Sequence, residues 1–259
     1  MSTVTRTCRV VLLAVLAVST AACGGDDEGD GGGSPKAQPS STSPPASTPS
    51  PSPTDSPDLA TFTAEIDHPL VPLHAVTDTV FEGEERDKGE TLRTRVEQRL
   101  LARTYEVAGV QAAVVAVREY EDGELVERTF DYYAQDAEGN VWYMGEHVND
   151  YEDGKLAGHG GQWLAGENGA QPGLFMPAEP EVGVTFEQER APGVAEDEST
   201  VIEVDLAVEV PAGSFTRCIK TEDFAPLDNA TEFKFYCPEV GLVREQGQGG
   251  ARSELVRYR

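Results

Sequence analysis

Four histidines, two tryptophans and 46 carboxylates are the groups from which this 259-residue chain could build a site. His68, His74, His147 and His159 are scattered, and none falls in an H-E-x-x-H or comparable ligand spacing. His159 stands in Gly158-His159-Gly160-Gly161, a loop open to a substrate, but a lone imidazole there serves packing or surface more simply. No G-x-S-x-G, dinucleotide-binding glycine pattern or P-loop occurs. Asp136, Glu138 and Asn140 share one turn at offsets from which oxygens converge on calcium. Gly139 precedes Asn140 instead of following it, and the twelve-residue calcium pattern is absent, so capping of the turn by Asp136 is the simpler expectation. Glu82, Glu84, Glu85 and Asp87 read as a solvated hairpin tip, and Glu127 and Asp131 as the polar side of a strand. No catalytic residue, metal site or cofactor is expected.

The aromatics are more suggestive. Phe130, Tyr132, Trp142, Trp163, Phe175 and Met176 concentrate between residues 130 and 176, less than a fifth of the chain. They could line a concave apolar ligand pocket in a curled sheet, or fill the core of the domain. Periodicity does not separate the two. Cys218 and Cys237 are the pair left after the two N-terminal cysteines, and the turn-forming Pro226 and Asp228 lie midway between them. A hairpin over 214–238 sets them side by side, and a structural disulfide is expected. Closing a loop of about 20 residues contributes roughly 3 kcal/mol on the chain-entropy account.

These groups must be held by elements, and the elements begin after a long non-globular stretch. Arg6 and Arg9 precede the apolar run Val10 to Val18, which is too short to span a membrane stably. Ser19-Thr20-Ala21-Ala22 leads into Cys23-Gly24-Gly25, small residues before a cysteine. The match resembles a bacterial lipobox, with Thr20 where an aliphatic residue is usual. Residues 1–22 are therefore read as a lipoprotein signal peptide and Cys23 as the lipidation site. Each buried CH₂ contributes about 0.8 kcal/mol, so two acyl chains hold a protein stably where one does not. Residues 23–59 form a tether, acidic and glycine-rich first, then almost entirely Ser, Thr and Pro. Neither part buries enough apolar area to offset chain entropy. Losing Arg6 and Arg9 with the signal leaves 18 basic against 46 acidic residues, a charge of −28 where the whole chain carries −26. Such a charge disfavours nucleic acid and anionic lipid headgroups as partners.

Residues 60–259 read as a single β-rich domain. Leu92, Thr94, Val96, Gln98 and Leu100 alternate with charged residues, as in a half-buried strand, although a helix over 91–104 is also compatible with the composition. Tyr120-Glu121-Asp122-Gly123 and Tyr151-Glu152-Asp153-Gly154 are two copies of one turn, each placed where a hairpin must reverse. Ten to twelve strands are expected, in an all-β, curled antiparallel meander: a half-barrel or open barrel-like sheet in one or two layers.

Several segments resemble a family of uncharacterised actinobacterial secreted or lipid-anchored β-rich proteins: Tyr120 to Leu125, Phe130 to Glu146, Gly169 to Pro177, Ala191 to Asp197 and Pro211 to Phe215. The resemblance spans most of residues 62–256 and implies no catalytic assignment. The overall pattern is also weakly similar to half-barrel lipid carriers of the cell envelope, an analogy of fold alone. The leading expectation is a non-catalytic envelope lipoprotein on the extracytoplasmic face of the cell membrane, its partners the membrane itself and an apolar small molecule or envelope component. The alternatives are a structural or adhesive domain that binds another envelope protein, and a hydrolase of wall polymer, which needs two convergent carboxylates.

Overall fold

The computed structural model describes residues 57–87, 90–247 and 250–259, with one 3-10 turn, Leu59–Thr61, and no α-helix among them. The expected signal peptide, Cys23 and most of the expected tether lie outside the described residues. The strands are β1 (Asp78–Asp87), β2 (Glu90–Val107), β3 (Val110–Glu121), β4 (Glu124–Gln135), β5 (Val141–Glu152), β6 (Lys155–Gly158), β7 (Trp163–Leu164), β8 (Gly173–Met176), β9 (Thr185–Glu187), β10 (Glu198–Val210), β11 (Gly213–Ala225), β12 (Ala230–Cys237), β13 (Gly241–Gly247) and β14 (Arg252–Tyr258). The helix-compatible segment 91–104 is strand, inside β2. There is one antiparallel sheet, ordered β6-β5-β4-β3-β2-β1-β14-β13-β12-β11-β10-β9, with β7 and β8 added beside β5.

Near-neighbour pairing follows from the turns. At both YEDG copies the Asp and Gly take positive φ, Asp122 48° and Gly123 89°, Asp153 50° and Gly154 71°. Two successive left-handed residues make the tight reversal that suits twisted strands. The chain termini of the domain then meet, β1 against β14, which joins two meanders into one sheet. The expected acidic tip over 82–87 is instead the body of β1, paired with β2 from Asp78↔Arg99 to Asp87↔Glu90.

The sheet curls without closing. Its two ends approach through short contacts: a bridge between Gln171 and Arg190, and the Gln188 side-chain amide donating to the Phe175 carbonyl at 3.0 Å. Gly173 permits this approach, since a Cβ there would come within 1.9 Å of the Gln188 carbonyl oxygen. The Cys218–Cys237 disulfide joins β11 to β12, its Cα atoms 4.1 Å apart. The tip of the β10–β11 hairpin folds back, with the Ala212 amide donating to the Leu255 carbonyl at 3.0 Å.

Residues 62–76 form a strap across one open end of the curl. Thr63 bridges to Gln135 at the end of β4, and the Glu239 amide donates to the Pro69 carbonyl at 2.9 Å beyond β12. His68 is fixed between them. The Leu70 amide donates to its Nδ1 and its Nε2 donates to the Pro177 carbonyl, both at 3.1 Å. This arrangement requires the neutral ring, and burial lowers the His68 pKa accordingly. Ile66, Leu70 and Val71 of the strap pack with Ala113, Met176 and Tyr236 as one core.

Candidate functional site

Beneath the strap lies a cavity of about 120 Å³. Strand register defines its walls, because residues directly opposite in a ladder share a face. Leu100, Val115 and Asp131 are opposite one another across β2, β3 and β4, and Asp131 is in turn opposite Glu146 on β5. On the other wall Thr221, Lys234, Glu245 and Ser253 follow across β11 to β14. Leu70, Leu73, Phe81, Tyr133, Phe175 and Leu242 supply apolar walls near the strap. Asp131, Lys234 and Glu245 also line the cavity. Exposed Arg99 also lines it, so it reaches the surface beside β2.

The polar lining continues below as a set of buried carboxylates. Glu119, Glu127, Asp131 and Glu146 on β3–β5 and Asp223 and Glu245 on β11–β13 are each less than a tenth exposed. Glu119 directly opposes Glu127, and Asp131 opposes Glu146. Like charges in that position repel, so they cannot all ionise at neutral pH. Burial, and then its neighbours Asp150 and Asp131, push Glu127 up to about 8. Burial pushes Asp131 up to about 7 against the Thr129 hydroxyl, which donates to it at 2.6 Å. Glu119 and Glu146 are raised well above the usual carboxylate range, by burial first and by Glu127 and Asp131 respectively.

Lys234 is the counter-charge on the other wall. Its Nζ lies 3.0 Å from Asp223 Oδ2 and 2.8 Å from Glu232 Oε1. Burial works to lower its pKa, but Glu232 and Asp223 outweigh burial and hold it well above the usual lysine value. Ser199 donates to the other oxygen of Asp223 at 2.6 Å. Glu245 has neither service. It is fully buried, opposite Lys234 in the ladder, and both its carboxyl oxygens lack a hydrogen-bond partner.

The sequence reading of Glu127 and Asp131 as a solvated strand side is therefore corrected. They are 3% and 8% exposed and point into the curl. The alternation along β4 is real, but the curl, the strap and the opposite wall cover that side.

The six aromatic and sulfur-bearing residues singled out in the sequence are placed as follows. Phe175 lines the cavity, with its ring 5.0 Å from that of Tyr133. Met176 is fully buried under the strap. Tyr132, Trp142 and Trp163 are buried in a separate cluster with Met144 and Leu174. Phe62 stacks on Trp142 at 5.7 Å, and Trp142 Nε1 donates to Asp136 Oδ2 at 2.7 Å. Tyr132 stacks on Tyr105 at 4.7 Å, and its hydroxyl is 2.6 Å from His147 Nδ1. Phe130 is half-buried, with the guanidinium groups of Arg103 and Arg128 at 5.5 and 5.6 Å from its ring centre. Asp136 also accepts from the backbone amides of Glu138 and Asn140 and from the Asn140 side chain, so it is spent as a turn cap. His159 Nδ1 is bonded to the Val148 carbonyl at 2.6 Å. Among the described residues no group of three or more His, Cys, Asp or Glu could hold a metal ion.

Tyr133, Lys234, Glu245 and the strap escaped the sequence reading. A usable signal existed in Glu232-Phe233-Lys234-Phe235-Tyr236, where polar groups alternate with aromatics in a strand that also carries a disulfide cysteine.

No protein-family model matches the chain, and no curated protein matches it. The resemblance to an actinobacterial family thus gains no support from either comparison. Among solved structures the chain is similar to a candidate lipoprotein of Parabacteroides distasonis, at 14% identity and a TM-score of 0.33, over 71% of this chain and 95% of that one. A likeness of that size carries no functional argument. Among the described residues no helix is long and apolar enough to cross a membrane.

Proposed function

We propose that the chain is a lipid-anchored, non-catalytic envelope protein that holds a small, partly apolar molecule in the cavity beneath the strap. The observation that carries this reading is the cavity itself: about 120 Å³, with apolar walls from the strap and with Asp131, Lys234 and Glu245 among its polar lining. A pocket with mostly apolar walls and a few placed polar groups is the usual form of a small-molecule site. Engineered apolar cavities of comparable size take up benzene, which sets the scale of the occupant. Cys23 and its small-residue flank support the anchor, and the tether would hold the domain clear of the membrane on the extracytoplasmic side.

Asp131 and Glu146 form an opposed carboxylate pair of the kind a wall-polymer hydrolase needs. Glu146 is 2% exposed, however, and the cavity is too small for two sugar rings flanking a bond. The binding reading fits this geometry better.

The test is mass spectrometry of an organic extract from the exported protein, purified without detergent, together with NMR shifts on adding toluene. A stoichiometric small molecule in the extract, or toluene shifts centred on Phe175 and Tyr133, is the expected result. Leu73→Trp, which fills the cavity, should abolish either signal. A clean extract with no toluene response in folded protein would remove the basis of the reading.

A further inference from the structure

Resting on the reading of the cavity as a binding site, we infer that its ligand is a small amine: an apolar body about the size of one aromatic ring, carrying an ammonium group that docks on Glu245.

The apolar walls and the volume set the size of the body. The charge follows from the polar lining. Glu245 presents two carboxyl oxygens with no partner in the protein, from a side chain with no solvent exposure. A buried acceptor left without a donor costs about 1–3 kcal/mol, more when charged, and a ligand that supplies donors recovers that cost. Lys234 does not supply them. It faces Glu245 across the β12–β13 ladder, but its ammonium is held by Asp223 and Glu232. Asp131 adds a second carboxyl from the opposite wall. Among the described residues nine carboxylates are buried, and Lys234, the buried base beside them, is already held by Asp223 and Glu232, so the interior favours a cation. Arg99 at the rim is already paired with Asp78 at 2.6 Å. The rings of Tyr133, Phe175 and Tyr236 also line the cavity, and aromatic faces attract ammonium groups.

Proton accounting makes the inference testable. The groups acting on Glu245 are Glu232 and Lys234 on β12, Glu119 on β3 and Asp223 on β11. Burial is the largest influence and Glu232 the next, and together they raise Glu245 well above the usual range, with Lys234 opposing. Burial and Glu232 thus favour the protonated carboxyl in the free protein. An ammonium ligand, R–NH₃⁺, pairs with the carboxylate and releases one proton to solvent, with no covalent bond made or broken. Affinity should rise about tenfold per pH unit until Glu245 ionises in the free protein.

The experiment is calorimetric titration of the exported protein with benzylamine and with benzyl alcohol at pH 6, 7 and 8. Benzylamine should bind at least about tenfold more tightly than benzyl alcohol at pH 8, weaken as pH falls, and release about one proton. Glu245→Gln should erase the preference for the amine, so that benzylamine and benzyl alcohol bind alike. Should that variant fail to fold, the pH dependence and proton release of the natural protein decide alone. Equal or tighter binding of benzyl alcohol, or amine binding without proton release, overturns the amine inference and leaves the cavity reading intact. Binding of neither probe, with no toluene response, overturns the cavity reading and the inference with it.

Discussion

The carboxylates of β3–β5 and those of β11–β13 line the same inner face and are buried to the same degree, yet they are stabilised in different ways. On β11–β13 a lysine has been drawn in, and Lys234 Nζ bridges Asp223 and Glu232. On β3–β5 no base lies opposite. Glu119 faces Glu127 and Asp131 faces Glu146, so the charge is removed by holding protons. Burial alone therefore does not predict the ionisation of a carboxyl: the cross-strand partner decides whether desolvation is met by an ion pair or by a proton.

The largest expected effect comes from breaking the paired side. Lys234→Met removes the ammonium and leaves Asp223 and Glu232 facing each other, which should cost about 3–5 kcal/mol at pH 8 by denaturant unfolding. The loss should shrink in Lys234→Met/Asp223→Asn, where the carboxylate left facing Glu232 is removed as well. An equal loss in both variants would mean that packing, not charge, is what Lys234 provides.

The proton-holding side should give the protein an unusual pH profile. Asp131 and Glu127 titrate from 3.8 and 4.5 in the unfolded chain to about 7 and about 8 in the fold, and Asp197 from 3.8 to about 7. A folded-state pKa that is raised means the fold binds protons that the unfolded chain has released. That contribution is complete below the unfolded values and is lost as pH rises through the folded ones, with a slope of about 1.4 kcal/mol per pH unit for each group in its window. His68, lowered by burial, works the other way and only below its unfolded value of 6.5. The melting temperature should accordingly fall by well over about 10 °C between pH 5 and pH 8.5. Asp131→Asn combined with Glu127→Gln should flatten that fall, and an unchanged slope in the double variant would show that the pH dependence comes from elsewhere.

The smallest effect sharpens the comparison on a single pair. Glu146→Gln keeps the shape of the side chain and offers Asp131 an amide donor. Stability should rise by about 1 kcal/mol at pH 8 and stay nearly unchanged at pH 5. Destabilisation at pH 8 would mean that Glu146 makes an ionic contact worth more than the repulsion it relieves.

Much of the fold was legible in the chain. Period-two alternation in Leu92 to Leu100, the two YEDG turns, and the spacing of Cys218 and Cys237 around Pro226 and Asp228 are local signals, and each marks strands or a hairpin that formed. Local patterns of this kind depend on backbone geometry that a few residues determine by themselves. They fix the all-β class, the antiparallel meander character and the disulfide, but not the strand order.

Which side of each strand is wet was not legible. Phe130 and Tyr132 alternate with Glu127, Thr129 and Asp131 on β4, and the aromatic side reads as the buried one. Both sides are covered: one by packing around Tyr132 and Trp142, the other by the curl of the sheet. Alternation reports that the two faces differ and says nothing about what lies against each. The pairing of β1 with β14, the strap crossing to Glu239, and the meeting of β4 with β12 residues around one cavity join positions more than 100 residues apart. The sequence by itself determined the strands, their turns and the acidic composition. Tertiary structure alone decided that part of that acid faces inward, because enclosure belongs to the curled sheet with its strap and to no single strand within it.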